Sequence, residues 1–279
     1  MPDNAFYSES IYEENVDGQS LVTKKYKSNE GLKEINIYNN LLEKDRKLLA
    51  PKCHSFSIVE KLLRLVKYDP IDKITPEILD AIQEWLVYKY NKYKNSQEIL
   101  DLGINIKRYN RPKLEYLSDV FKQSVIEDIL KNQSVIAESI VKVSMLPFTL
   151  EQGDLQKDNL LKDKDGGLVI CDWVLANASN GLVDVLKYIK MTEKVDPSSL
   201  ERRIKLIEEK MGIQNIQKFA TQEGIIHYLS RLEYFSVFYG TGSNLKIHGL
   251  SIDAYIDDCL QKLEDLWRKH THNSTEERI

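Results

Sequence analysis

The chain has 279 residues, 42% of them hydrophobic, with 39 lysines and arginines against 43 aspartates and glutamates and a formal charge of −4. That is enough chain for two lobes with cores of their own, and the composition is that of an ordered protein. The acidic balance argues against a nucleic-acid partner. No apolar run approaches the roughly 20 residues that span a bilayer, and no basic-then-apolar leader opens the chain. A cytoplasmic protein with no membrane and no nucleic-acid partner is expected, with Cys53, Cys171 and Cys259 reduced because they are widely spaced in apolar settings.

From the N-terminus, Ser10 to Val16, Asp17-Gly18, and Ser20 to Lys27 read as strand, tight turn, strand. Strand alternation sets Lys24 and Lys25 on opposite faces. Residues 29–42 carry Leu32, Ile35, Tyr38 and Leu42 at helical spacing, with Glu34 among them. Thr75-Pro76 then opens a helix, threonine as N-cap and proline in the first turn, with Ile78, Leu79, Ile82, Trp85 and Leu86 on one face. Arg111-Pro112 opens one further helix carrying Leu114, Leu117, Phe121 and Ile129, and 135–143 forms a shorter one. After residue 195, helices are predicted at 200–211, stopped by Gly212, at 222–239 and at 251–269. The lysine and tyrosine cluster at 88–94 reads as core and flank, and His270-x-His272 as a solvated terminus rather than a metal site.

The chemistry concentrates in Gly153-Asp154-Leu155-Gln156-Lys157-Asp158-Asn159, followed by Leu168-Val169-Ile170-Cys171-Asp172-Trp173. The polar, glycine-ended 162–167 between them reads as a hairpin loop joining two short strands. Folding that hairpin returns Asn159 to the side of Asp172, since paired strands lie about 4.8 Å apart. One carboxylate and one amide oxygen suffice for magnesium, which keeps several waters and takes phosphate oxygens besides. A further carboxylate, Asp154, is placed to orient an acceptor hydroxyl and take its proton. That is the inventory phosphoryl transfer requires.

Gly-Asp-Leu, four residues, Asn, then Asp-Trp resembles the motif of the aminoglycoside phosphotransferases and choline kinases, small-molecule kinases with a protein-kinase-like fold. Eukaryotic-type protein kinases carry arginine where this chain has Gly153 and Phe-Gly where it has Trp173-Val174. The family places histidine before Gly-Asp; here the residue is Gln152, a departure that bears on the rigidity of the loop. Asn180-Gly181-Leu182-Val183-Asp184 resembles the family's following segment, in which the aspartate braces the catalytic loop.

The resemblance implies an α+β, bilobal fold with a small β-rich N-lobe over residues 1–64, a larger, mainly helical C-lobe over 65–269 and a polar tail over 270–279. It implies Asp154 as the catalytic residue and Asn159 and Asp172 as ligands of Mg2+. Lys24 becomes the phosphate lysine, with Glu34 as its partner. No glycine-rich loop is present, so Ser8 and Ser10 are the candidates for covering the phosphates. Residues 50–63 resemble the family's proline-initiated strand pair leading into the hinge between the lobes, which makes the backbone near Glu60 to Leu62 the candidate for meeting the base of ATP or GTP. The acceptor is a hydroxyl of a small molecule. The acidic excess lies beyond Val143, where Glu233, Asp253, Asp257 and Asp258 suit a cationic substrate, and Tyr228, Tyr234, Phe235 and Tyr239 suit a quaternary amine. A nucleotide-binding module without activity and a serine/threonine protein kinase are the alternatives.

Overall fold

The computed structural model describes residues 8–27, 29–102, 107, 109–243, 246–247 and 250–276. Strands β1 (Ser8–Val16) and β2 (Gln19–Tyr26) lead to helix α1 (Leu32–Ile37), then β3 (Cys53–Ser57), β4 (Leu62–Val66) and the short β5 (Asp69–Pro70). Helices α2 (Pro76–Tyr93), α3 (Gln97–Asp101), α4 (Leu114–Phe121), α5 (Ser124–Lys131) and α6 (Gln133–Ser144) follow. Short strands β6 (Thr149–Glu151), β7 (Leu160–Lys162), β8 (Leu168–Ile170) and β9 (Asn177–Ser179) come next. The chain continues through α7 (Leu182–Val195), α8 (Leu200–Met211) and α9 (Ile216–Phe235) to the pair β10 (Lys246–Ile247) and β11 (Leu250–Ser251), and closes on α10 (Ile252–Glu276). The fold is α+β, a small N-terminal sheet followed by a mainly helical remainder. It divides into two compact units, Met1–Lys107 with Phe148–Gln214, and Arg108–Pro147 with Asn215–Ile279.

In the first unit an antiparallel sheet runs β1-β2-β4-β3. Its first hairpin turns on Asp17 (φ 51°) and Gly18 (φ 81°), both left-handed, as a two-residue turn matched to strand twist requires. Asn15 Oδ1 accepts from the Gly18 amide at 3.0 Å and pins it. The predicted helix over 29–42 is present as a short 3-10 turn, α1 and a wider turn at Tyr38–Leu42, burying Ile35, Tyr38 and Leu42. Thr75 caps α2 by accepting from the Ile78 amide, and Leu79, Ile82, Trp85 and Leu86 are buried, as their spacing requires. The hairpin of β7 and β8 pairs Leu160 with Ile170. Its loop is organised by Asp163, whose Oδ1 accepts from the amides of Asp165 and Gly167.

The second unit is mainly helical. The single helix expected from Arg111-Pro112 is two, α4 and α5, because Lys122 adopts φ 49° and breaks the hydrogen-bond ladder between them. Helix α9 begins earlier than the predicted 222 and α10 runs past 269. Leu117, Phe121, Ile126, Ile129, Ile136, Leu229, Ile256 and Leu263 form its buried apolar core. Trp267 Nε1 donates to Asp128 Oδ2 at 2.5 Å, satisfying the indole as burial demands. Among the described residues no helix is long and apolar enough to cross a membrane.

Candidate active site

Lys24 lies near the C-terminal end of β2, and alternation turns it inward while Lys25 faces solvent and pairs with Glu9. Its Nζ lies 3.1 and 3.2 Å from the two carboxylate oxygens of Glu34 and 2.8 Å from Asp172 Oδ1. Glu34, on α1, has no exposed surface. Besides Lys24 it accepts from the Tyr26 hydroxyl at 2.5 Å and the Trp173 amide at 3.0 Å. A carboxylate so deep is tolerable only with such partners. Burial works against the charge on Lys24, yet Asp172 and Glu34 outweigh it and hold its pKa above the ordinary lysine value. Burial, reinforced by Asp172, pushes the neighbouring Cys171 thiol up to about 12, so it is a neutral thiol at physiological pH.

A second network shapes the loop that carries Asp154. Gly153 sits at φ 86°, and a Cβ there would lie 2.9 Å from the Leu175 carbonyl, so glycine is required on both counts. Fully buried Asp184, in the first turn of α7, accepts from the amides of Gln152 (2.8 Å) and Gly153 (3.0 Å). Its charge is met by Lys89 Nζ, buried on α2 and stacked 4.4 Å above the Trp85 ring. Gln152 in turn joins the two halves of the motif. Its Nε2 donates to the carbonyls of Cys171 (3.1 Å) and Asp172 (2.7 Å), and its Oε1 accepts from the Asp154 amide at 2.7 Å. Asp172 is held at φ 59°, a left-handed conformation that a non-glycine residue needs support to keep. The glutamine therefore supplies the rigidity that its departure from the family pattern put in question.

Asn159 donates through Nδ2 to Asp154 O (2.8 Å) and Oδ2 (2.9 Å), and its own carbonyl accepts from the Cys171 amide at 2.9 Å. Those bonds leave the side-chain Oδ1 uncommitted. Asp154, 4% exposed, receives Gln156 Nε2 on the same Oδ2 at 3.1 Å. Asp172 and Asn159 together offer hard oxygen donors, a set suited to magnesium. The structure thus brings Lys24, Glu34 and Asp172 into one cluster and Asp154 and Asn159 into another, with Gln152 joining them.

Two nucleotide-binding expectations fall at the turn between β3 and β4. Glu60 lies in the exposed turn between β3 and β4, its amide bonded to Ser57 Oγ, beside Val59, which is 93% exposed. Leu62 starts β4, paired with Lys25 and Ser57. The strand pair continues through Val66, so the segment leaving the sheet for α2 is 67–75, and neither Glu60 nor Leu62 belongs to it. Ser10 lies on β1 opposite Lys25, at the same end of the sheet as Lys24; the Ser8 side chain lies outside what the structure describes. Three of the four acidic residues singled out in the second unit are engaged locally: Glu233 pairs with Lys113 at 3.3 Å, Asp258 with Lys262 at 2.5 Å, and Asp253 accepts from the Gly240 amide. Phe235 stacks edgewise on Tyr234 and Tyr255, and Tyr239 on Phe121.

Sequence reasoning passed over Tyr26 and Lys89. Tyr26 shares a strand face with Lys24, and Lys89 continues the Ile82, Trp85, Leu86 stripe of α2. A lysine on an apolar stripe was the available signal.

No family model matches the chain, and no curated protein matches it in sequence. Solved structures do match in fold. The GDP complex of wild-type aminoglycoside 2'-phosphotransferase-IIIa aligns with TM-score 0.62 at 14% identity, covering 95% of this chain and 91% of that one. Choline kinase LicA from Streptococcus pneumoniae aligns with TM-score 0.57 at 12% identity, covering 95% and 93%. Plasmodium vivax ethanolamine kinase gives 0.58 at 12%, covering 94% and 83%. The chain has the protein-kinase-like fold that these small-molecule kinases share.

Proposed function

We propose that this protein is a small-molecule kinase that transfers the γ-phosphoryl group of ATP or GTP to a hydroxyl of an aminoglycoside-like compound, an amino alcohol or a sugar. The observation that carries this reading is the linkage of Asp154, Asn159, Asp172 and Lys24 through Gln152 and Glu34 within a single unit. Similar folds, among them a GDP complex and a choline kinase, support it.

In this reading Lys24, fixed by Glu34, meets the phosphates of the donor. Asn159 Oδ1 and Asp172 would hold Mg2+, which supplies charge neutralisation for the phosphates when bound. Asp154 receives the acceptor hydroxyl and takes its proton as the bond from oxygen to phosphorus forms and the bond to the leaving nucleoside diphosphate breaks. Its bonds from Asn159 and Gln156 both fall on Oδ2, which leaves Oδ1 for the acceptor. Because such catalysis rests on position and charge rather than on covalent chemistry, the buried supports of Asp154 and Lys24 matter as much as the groups themselves.

The test is nucleoside diphosphate release from ATP and from GTP across a panel of aminoglycosides, choline-like alcohols and sugars, with Asp154→Ala alongside. Acceptor-dependent release by the wild type, lost in the variant, is expected. A panel-wide null equal for both proteins, with nucleotide still bound, would instead mark a binding module.

A further inference from the structure

The Lys24–Glu34 pair has a third member. Tyr26 follows Lys24 by two positions on β2 and so shares its face, and its hydroxyl donates to Glu34 Oε2 at 2.5 Å. Its ring lies against Gly31, the residue before α1: a Cβ at Gly31 would fall 2.2 Å from both Cγ and Cδ1 of the ring. Glycine at 31 is therefore what lets the start of α1 close onto β2. From the other side, the Trp173 amide donates to Glu34 Oε1, tying the same carboxylate to the segment that carries Asp172. Both Glu34 oxygens thus have a donor besides Lys24.

We propose that Tyr26 is a positioning residue, acting through Glu34 to hold Lys24 assembled for the phosphates before any nucleotide arrives. This rests on the kinase reading above, but its physical core, the coupling of Tyr26 to Glu34, stands apart from it. Burial and then the adjacent Glu34 charge raise the tyrosine pKa well above its ordinary value, so the hydroxyl remains a donor throughout the physiological range. A hydrogen bond to a buried carboxylate is among the stronger kinds. Glu34 released from Tyr26 would lose the restraint on its oxygen, and Lys24 would then share its time between Asp172 and a looser partner.

The experiment is calorimetric titration of ATP and of GTP, each with magnesium, into the wild type, Tyr26→Phe, Glu34→Gln and the double variant. Phenylalanine keeps the ring against Gly31 and removes only the hydroxyl. Nucleotide affinity should fall about tenfold in Tyr26→Phe. The double variant should bind no more weakly than Glu34→Gln alone, because the hydroxyl has no separate route to the nucleotide. Wild-type affinity in Tyr26→Phe, or losses that multiply in the double variant, would overturn the proposal. Should the wild type bind neither nucleotide, the kinase reading is what fails. Thermal unfolding of the same four proteins then decides the coupling: overlapping losses support it and independent losses overturn it. Gly31→Ala, which forces ring and helix apart, should reproduce the Tyr26→Phe loss of affinity or exceed it.

Discussion

The two units bury different things. The second unit packs largely apolar side chains at helical spacing, among them Leu117, Ile129, Leu229 and Leu263. The first buries Lys24, Glu34, Lys89, Gln152, Asp154, Asn159 and Asp184 as well as its apolar core. Buried charge is costly and adds little stability over an apolar replacement of the same shape, so its concentration in one unit needs a reason other than holding the fold together. Every one of those groups is bonded to another of them or to the backbone that carries Asp154 or Asp172. The contrast is a reason to assign the proposed chemistry to the first unit.

The sharpest way to break that contrast is Asp154→Ala. Turnover should fall by about 10²–10⁴ while nucleotide affinity, measured by calorimetry, stays near wild type. Next in size are two destabilising variants that should differ in kind. Asp184→Ala strips Lys89 of its buried carboxylate partner and frees the Gln152 and Gly153 amides, at a cost of about 3–5 kcal/mol in urea unfolding, with loss of activity in the molecules that remain folded. Ile129→Ala in the second unit should cost about 2–5 kcal/mol through its cavity alone. Its folded fraction should bind nucleotide normally.

Gln152→Glu sharpens the comparison through pH. A carboxylate cannot donate to the Cys171 and Asp172 carbonyls, whereas the protonated acid can donate to one of them. Turnover of this variant, relative to wild type at the same pH, should therefore recover as pH falls through the range in which the new acid protonates; a constant ratio would argue against the bridging role. The smallest effect is at Lys33. Burial lowers its pKa from 10.5 to about 8. Between those values the unfolded chain holds a proton that the folded chain has given up, so this residue makes stability rise with pH across the window. Lys33→Met should remove that rise and be the more stable protein below it, as thermal melts over the same range will show.

How much of this was legible in the sequence depended on how local the cause was. The Asp17-Gly18 turn, the Thr75-Pro76 start of α2 and the 160–170 hairpin follow from near neighbours, and the structure has all three. The break between α4 and α5 did not announce itself, because it turns on one left-handed lysine that the apolar stripe runs across. The strand after Ser57 was placed too early: 58–61 is apolar and charged like a strand, yet it turns, with Lys61 at φ 53°. In the site, Lys24, Glu34 and Asp172 were found through the motif they resemble. Tyr26 and Lys89 were missed because their partners, Glu34 and Asp184, lie outside the strand and helix that carry them; only the lysine, set on an apolar stripe, bore a local signal.

The claim on which the rest depends is that Lys24, Asn159 and Asp172 jointly hold a magnesium nucleotide. Calorimetric titration of ATP and of GTP into the wild type and Asp172→Ala, with and without Mg2+, tests it directly. The account predicts binding by the wild type that strengthens with Mg2+ and a variant whose affinity no longer responds to the ion. An equal response to Mg2+ in both proteins, or no binding by the wild type under either condition, would contradict it.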